Sequence, residues 1–550
     1  MPLSEDDVRE ILRLIDESPV EEIRAETGRF TLYALRDGPG AEPTFVAPRS
    51  DGGGPMIDIV DTTTRDGNQS LWSATGLTTA DIVSIAPTID RIGFHAADFS
   101  SSTHMAVAVR FHGEDPWERL RLVSQAMPST PLSYITTGMR FISWVPCDEE
   151  LMRLSFRCVV RNGIRRFQVA DPTNDPARLR RVARVAKEEG VEEVVIGLTY
   201  SVSPVHTHAY YAERASALAD CADMDRLYLK DPGGLLTPEA VRELAPPFLR
   251  AAGERPVELH SHCTIGLAPF VYMEGLRAGF SVLHTAVAPL ARGTSNPAAE
   301  TTLRNLQASG FSHRLDLDAL ADVSRYFEEL RRRKDLPLGH PQEFDATYYR
   351  HQLAGGMVST TQRMLGELRR PELFDAVLEE VGRVRAEMGY PIIVTPVSQL
   401  VATQAVRNVI DDERWSTVSD ETVRYFLGHY GDPAAPVDPE VSDLVLSRPR
   451  VDELRRLEPL HLEGARERFG SRISDEELLL RLTMPGEQVD AMLASQAEPT
   501  RTTAPPARRV APRAGRHPIV TLLDEVSKRE SIRSFRVQKG DDLVVFRRAT

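Results

Sequence analysis

At 550 residues, with 41% hydrophobic and 27% charged residues, the chain is too long for one compact core and reads as a multidomain globular protein. Its formal net charge of −14 argues against nonspecific nucleic-acid binding, which needs a cationic surface, and no apolar run approaches the roughly 18 residues a membrane span requires. The start MPLSEDDVREIL lacks a basic segment followed by an apolar run, and Cys147, Cys158, Cys221 and Cys263 are too widely spaced for a disulfide framework or a zinc pattern, so a cytoplasmic protein with reduced thiols is expected.

Residues 1–38 open with Val8, Ile11, Leu12 and Ile15 at helical spacing, and Gly28 then precedes FTLYAL, which predicts a helix followed by a glycine-turned hairpin. Eight short apolar runs follow between residues 56 and 286: MIDIVD, FHAADF, LSYITT, RRFQVAD, VVIGLTY, RLYLKD, PVELHS and SVLHTA. Each is separated from the next by an amphipathic stretch, the pattern of repeated βα units, and eight in series predict a closed TIM (β/α)8 barrel over 56–320. The alternation alone also allows an open doubly wound sheet; the polar residues at the run ends favour the barrel, whose chemistry sits at the C-terminal ends of its strands. Residues 321–495 read as a mostly helical domain, 496–518 as a flexible linker rich in Pro, Ala, Thr and Arg, and 519–550 as a second copy of the opening unit. In that copy Ile519, Leu522, Leu523 and Val526 mark the helix and Gly540 precedes LVVF. Two readings of the terminal units stand: unrelated caps on the main body, or docking modules for a partner subunit.

The chemistry concentrates at the run ends. In LHSHCTIG, His260 and His262 stand two apart at a strand end, so both imidazoles face one side and can converge on a metal, although an isolated pair of this kind is more often structural. DTTTRDGNQS places Asp61, Arg65, Asp66 and Gln69 at the barrel mouth, where a carboxylate can ligate a metal and an arginine can stabilise an enolate or a substrate carboxylate; the alternative is an acidic loop capping its helix. Lysine occurs only at 187, 230, 334, 528 and 539, against 61 arginines, so Lys230 at the end of the sixth run invites a role that needs an amine. A bare ammonium beside a divalent cation is repelled, whereas addition of CO2 to the amine makes an anionic carbamate ligand, which arginine cannot form. The competing reading pairs Lys230 with Asp231 or another acid.

Through DTTTRDGNQS, HSHCTIG, YLKDPGGLL and PIIVTPVSQLVATQAV, the sequence resembles the carboxyltransferase subunits of biotin-dependent enzymes, the group that includes the pyruvate carboxylase carboxyltransferase domain, the transcarboxylase central subunit and the oxaloacetate decarboxylase alpha subunit. The likeness spans roughly residues 56 to 490. It implies a metal site of Asp66, His260, His262 and carboxylated Lys230, holding a divalent Zn, Co or Mn ion, with Asp66 rather than Asp61 as the carboxylate ligand. It implies that Thr395 shuttles a proton between substrate and biotin, while the same threonine could cap the helix that follows it. Arg65 and Gln69 would stabilise the enolate of a 2-oxo acid. None of the five lysines lies in a Met-Lys-Met setting, so biotin would arrive on a separate carrier protein, with a separate biotin carboxylase subunit; a homodimer is the family expectation. The opening unit also resembles, in pattern, the N-terminal segment of bacterial biotin carboxyl carrier proteins.

Three departures bear on the substrate. Relatives acting on pyruvate carry an arginine on the third strand where this chain has Thr137, with Arg140 three residues on as a substitute starting from a different point. The second strand reads DFSSSTHMA, so Ser100, Ser101 and Ser102 replace a Trp and two Gly. On the eighth strand His284 replaces a common Asp and reads either as a new ligand or proton donor or as a packing residue. A 2-oxo acid or related ketone other than pyruvate is therefore expected. Two rivals remain: a Claisen-condensing or lyase enzyme of the same barrel family, indifferent to Lys230, and a non-catalytic scaffold for a biotin carboxylase complex.

Overall fold

The computed structural model describes residues 11, 13, 22–26, 31–36, 54–138, 147–353, 355–394, 396–497, 532–539 and 542–547. Each of the eight apolar runs folds as a strand: β1 (Asp58–Asp61), β2 (Ala96–Ser101), β3 (Leu132–Thr136), β4 (Arg166–Ala170), β5 (Glu193–Thr199), β6 (Arg226–Asp231), β7 (Val257–Ser261) and β8 (Val282–Thr285). They pair in parallel in chain order, and β8 returns to pair with β1, closing the barrel. The intervening helices start on side chains that satisfy the first free N–H groups: Thr78 in a capping box with Asp81, and Asp148, Asp175 and Thr237 before theirs. Their apolar faces, such as Leu151, Leu154, Phe156 and Val159 on the helix Glu149–Arg161, close over the outside of the sheet.

The barrel's interior is polar at its floor. Arg166, wholly buried, gives Nη2 to both oxygens of Glu258 at 2.6 Å, Nε to Glu193 at 2.5 Å and Nη1 to Ser133 at 3.0 Å. Burial by itself would raise the Glu258 carboxyl, but the Arg166 charge and the bond from His284 overrule it and hold the group well below the usual carboxylate range.

The helical stretch divides. Helix Leu317–Lys334 packs on the barrel wall through Leu320, Val323 and Phe327, and the closing helices Leu462–Phe469, Asp475–Thr483 and Gly486–Ala497 pack there as well. There Glu476 accepts from Asn162 Nδ2 at 2.9 Å and Arg121 at 3.1 Å. Between them, Leu353 to Leu454 form a core of their own around the packed helices Phe374–Glu387 and Val397–Ile410. Among the described residues no helix is long and apolar enough to cross a membrane, and the four cysteines are free and buried.

The chain termini form a separate unit, residues 1–47 with 500–550. Strands Glu22–Glu26, Thr31–Arg36, Ile532–Lys539 and Asp542–Arg547 make one four-stranded sheet in which the two hairpins meet along antiparallel pairs such as Tyr33 with Arg536 and Ala34 with Phe535. The repeated pattern of the two ends thus corresponds to two halves of one sheet, in which each hairpin covers an edge the other would leave open.

Candidate active site

Strand β1 runs into a wide helical turn, Thr63–Gly67, that carries Arg65 and Asp66 over the barrel mouth. Asp61 lies beneath this turn: its Oδ1 takes the Thr63 N–H at 3.1 Å and the Thr63 hydroxyl, and burial lifts its carboxyl to about 7. Asp66 instead faces the histidines, with Oδ2 3.3 Å from His260 Nε2 and 3.2 Å from His262 Nε2. Burial would raise Asp66, but Arg65 and the two imidazoles hold it well below its ordinary value. Strand alternation puts His260 and His262 on the same side, and one donor atom from each of Asp66, His260 and His262 falls within 4.8 Å of the others, all buried.

The histidine tautomers suit a cation. Nδ1 of His262 lies 2.6 Å from the Thr294 carbonyl, an acceptor only, so Nδ1 carries a proton and Nε2 is the nitrogen that faces the cluster. Burial, reinforced by His262, His284 and Lys230 and opposed by Asp66, drives the His260 pKa well below the ordinary imidazole value, so that ring is neutral. Two imidazole nitrogens and an ionised carboxylate make a donor set suited to a divalent transition metal.

Lys230 is the cross-strand neighbour of His260 in the β6–β7 pairing and lines the same cavity. It is 7% exposed, and burial, with the nearby Arg65 charge, pulls its pKa down to about 8. Asp231 is not its partner: the Asp231 oxygens are taken by the N–H groups of Leu235 (2.8 Å) and Leu236 (2.9 Å) and by the Ser261 hydroxyl (2.7 Å). Those bonds fold the loop Pro232–Gly234 under the site. Gly234 has φ +69°, and a Cβ there would stand 2.5 Å from the His262 carbonyl oxygen, so this turn needs glycine to pass the end of the strand that carries the histidines.

A cavity of about 330 Å³ opens above the cluster, lined by Arg65, Asp66, Gln69, Thr137, Lys230 and His262. Arg65 is held at its wall by Asp98, which accepts from Nε at 2.7 Å and from Nη2. Ser101 at the end of the second strand, Ser102 just after it and Thr137 also face this space. Arg140 and Thr395 lie outside the described residues, but Ile393, Val394 and Ser398 on either side of position 395 line the cavity. The segment leading there is tied to the barrel by Arg385, which donates to Ser201 Oγ (2.7 Å), to the Val202 carbonyl (3.0 Å) and to the Pro391 carbonyl (3.1 Å).

His284 takes neither of the active roles the sequence suggested for it. It is outside the Asp66, His260 and His262 group and lies behind it, with Nε2 2.9 Å from Glu258 Oε2. Asn296, Thr294 and Asp98 were not legible as site residues. Two of them follow β8 on an irregular loop with no strand or helix periodicity to mark them, and Asp98 stands in a run whose alternation alone does not separate an ion-pair partner from a core-facing polar residue.

Residues 56–327 match the HMGL-like family model and residues 348–523 the conserved carboxylase domain. The chain is 37% identical over 392 residues to a pyruvate carboxylase subunit from Methanocaldococcus jannaschii, covering 71% of this chain and 68% of that one. The chain belongs to the carboxyltransferase family of biotin-dependent enzymes. This carboxyltransferase is also 34% identical to the corresponding pyruvate carboxylase subunit from Methanothermobacter thermautotrophicus, over 83% of its own length and 80% of the relative's. It is 30% identical to the 2-oxoglutarate carboxylase large subunit of Hydrogenobacter thermophilus, over 80% and 69%. The carboxyl transferase domain of Rhizobium etli pyruvate carboxylase solved with pyruvate has the same fold, with a TM-score of 0.72 at 23% identity over 81% of this chain and 78% of that one.

Proposed function

We propose that this carboxyltransferase moves a carboxyl group between biotin, brought on a separate carrier protein, and a 2-oxo acid or related ketone, as a carboxylation or the reverse decarboxylation. The observation that carries the reading is the buried cluster of Asp66, His260 and His262 with Lys230 beside it at the floor of the cavity. These residues would hold a divalent Zn, Co or Mn ion, with Lys230 as its carbamate contributing an anionic oxygen. When bound, such an ion supplies a Lewis acid that favours the enolate form of the substrate.

The remaining work falls to the chain. Arg65, pinned by Asp98, presents its guanidinium at the cavity wall, where it can meet the developing enolate oxygen or the substrate carboxylate. Gln69, on the helix Asn68–Trp72 that follows, lines the same cavity and would donate its side-chain amide there. Thr395, between cavity-lining Val394 and Pro396, would move the proton between the carbon beside the substrate's ketone and biotin. The carbon that loses this proton is the one that gains the carboxyl group, so the balance closes without any redox partner. Thr137, Ser101 and Ser102 line the cavity at positions where the resemblance implies an arginine and two Gly in relatives acting on pyruvate, and on that ground we propose a 2-oxo acid other than pyruvate.

Biotin carboxylase and carrier subunits are the proposed partners, in the cytoplasm, with a homodimer as the assembly and the terminal four-stranded unit as a site for subunit docking. The test is turnover of a panel of 2-oxo acids by the full chain with a biotinylated carrier. Turnover that requires biotin and is lost in Lys230→Ala is the expected result. Acyl-CoA condensation or cleavage without biotin, unaffected by Lys230→Ala, would overturn the reading in favour of a condensing enzyme or lyase, and a folded protein that binds no metal in favour of a scaffold.

A further inference from the structure

We infer that His284 is a positioning residue for the metal site: it relays the negative charge of the barrel floor to His260 and fixes the tautomer in which His260 can bind a cation. This rests on the metal site proposed for Asp66, His260, His262 and Lys230 and goes beyond it, because His284 neither lines the cavity nor belongs to the ligand cluster.

The hydrogens can be placed from two ends. At the mouth end, the side-chain amide of Asn296 lies 3.2 Å from the Ser261 carbonyl, which only accepts, so it is the Nδ2 donor that faces Ser261. The amide oxygen, on the other side, takes the Thr62 hydroxyl at 2.8 Å. The same Nδ2 lies 3.3 Å from His260 Nε2, and a donor there demands a bare nitrogen. His260 therefore carries its proton on Nδ1, which faces His284 Nδ1 at 3.4 Å. At the floor end, Glu258 is an ionised carboxylate gripped by Arg166 through both oxygens, an acceptor only. His284 Nε2, 2.9 Å from Glu258 Oε2, must carry its proton, which leaves His284 Nδ1 bare and able to accept from His260.

The two ends meet without conflict. Protons point from His260 to His284 to Glu258, and the lone pair that ends the chain emerges at His260 Nε2, beside Asp66, where Asn296 Nδ2 meets it at 3.3 Å. Tyr228 stacks on the His284 ring at 4.7 Å between centroids, 15° from parallel, and holds its plane. Arg166, Glu258, His284 and His260 are each 0% exposed, so no water competes for these bonds. His262, by contrast, is oriented by a backbone carbonyl that no side-chain substitution would remove.

The test is zinc affinity of the full chain by competition with a chelator, alongside the thermal melting of the zinc-free protein. His284→Leu removes the acceptor and is expected to weaken zinc binding about 10- to 100-fold. His284→Asn puts an amide oxygen near the position of Nδ1 and is expected to restore binding to within a few-fold of the original. A His284→Leu protein that folds and binds zinc as tightly as the original overturns the relay and leaves the metal site intact, as does an Asn variant as weak as Leu. An original protein that binds no zinc overturns both. Should the Leu variant fail to fold, a crystal structure of the zinc-loaded protein decides: His260 ligating through Nε2 with Nδ1 toward His284 supports the relay, and a ring turned the other way overturns it.

Discussion

Replacing Arg166 with Met at the barrel floor removes one guanidinium and leaves Glu258, 0% exposed, with His284 at 2.9 Å and the more distant Arg226 Nε at 3.8 Å. Glu193 is less affected, because it keeps His95 at 3.1 Å and Arg226 at 2.9 Å. Breaking a buried pair from one side costs about 3–5 kcal/mol, roughly a hundred- to several-thousand-fold in the unfolding equilibrium. In the original protein the Glu258 carboxyl sits below its ordinary 4.5, so its stabilisation is complete above that value and is lost as pH falls through the folded pKa. Without Arg166, burial raises the same carboxyl, and the variant then loses stability as pH rises past about 4.5. The gap between the two proteins is therefore widest near neutral pH and narrows toward pH 4. Urea titration followed by circular dichroism at pH 7 and pH 4 measures both. The double variant Arg166→Met with Glu258→Leu, which removes both charges, is expected to recover most of the loss. A single variant within about 1 kcal/mol of the original at pH 7, or a gap that does not change with pH, would refute the reasoning.

Asp66→Ala is expected to abolish tight metal retention while leaving the fold, because the residue stands on a turn outside the apolar core; metal analysis after dialysis and a melting curve check it. Lys230→Arg keeps the charge but cannot form a carbamate, so metal content and transfer should fall together. Thr395→Ala should reduce transfer by about 10²- to 10⁴-fold with metal content unchanged, as measured by turnover and metal analysis on one preparation. Arg385→Met cuts two bonds to the barrel loop at Ser201–Val202 and one to the Pro391 carbonyl in the segment before Ile393; kcat is expected to fall while zinc affinity holds.

Strand positions were legible to within two residues at every run, since buried parallel strands are continuous apolar stretches and their ends are marked by the polar residues that face the mouth. Asp66, His260 and His262 were legible for the same reason: a two-residue spacing at a strand end fixes the side, and the motif around Asp66 fixes which carboxylate is meant. His284 was legible as a departure but not as a relay, because its neighbours come from the stagger of β4, β7 and β8, and Glu258 and Arg166 are far from it in sequence. The joining of the terminal hairpins pairs residues about 500 positions apart, and local pattern shows only that the two ends are alike. The helical stretch reads as one domain because amphipathic periodicity says that a helix has a buried face but not what that face meets; Leu317–Lys334 meets the barrel, while Phe374–Glu387 meets other helices.

The central claim, a carbamate on Lys230 completing a metal site with Asp66, His260 and His262, is tested most directly by incubating the full chain with ¹³C-labelled bicarbonate and its metal and recording the carbon spectrum alongside metal content. A protein-bound carbamate signal that is absent in Lys230→Arg, with one metal ion per chain, is the result expected. Full metal occupancy and full transfer activity with an unmodified Lys230 amine would contradict it.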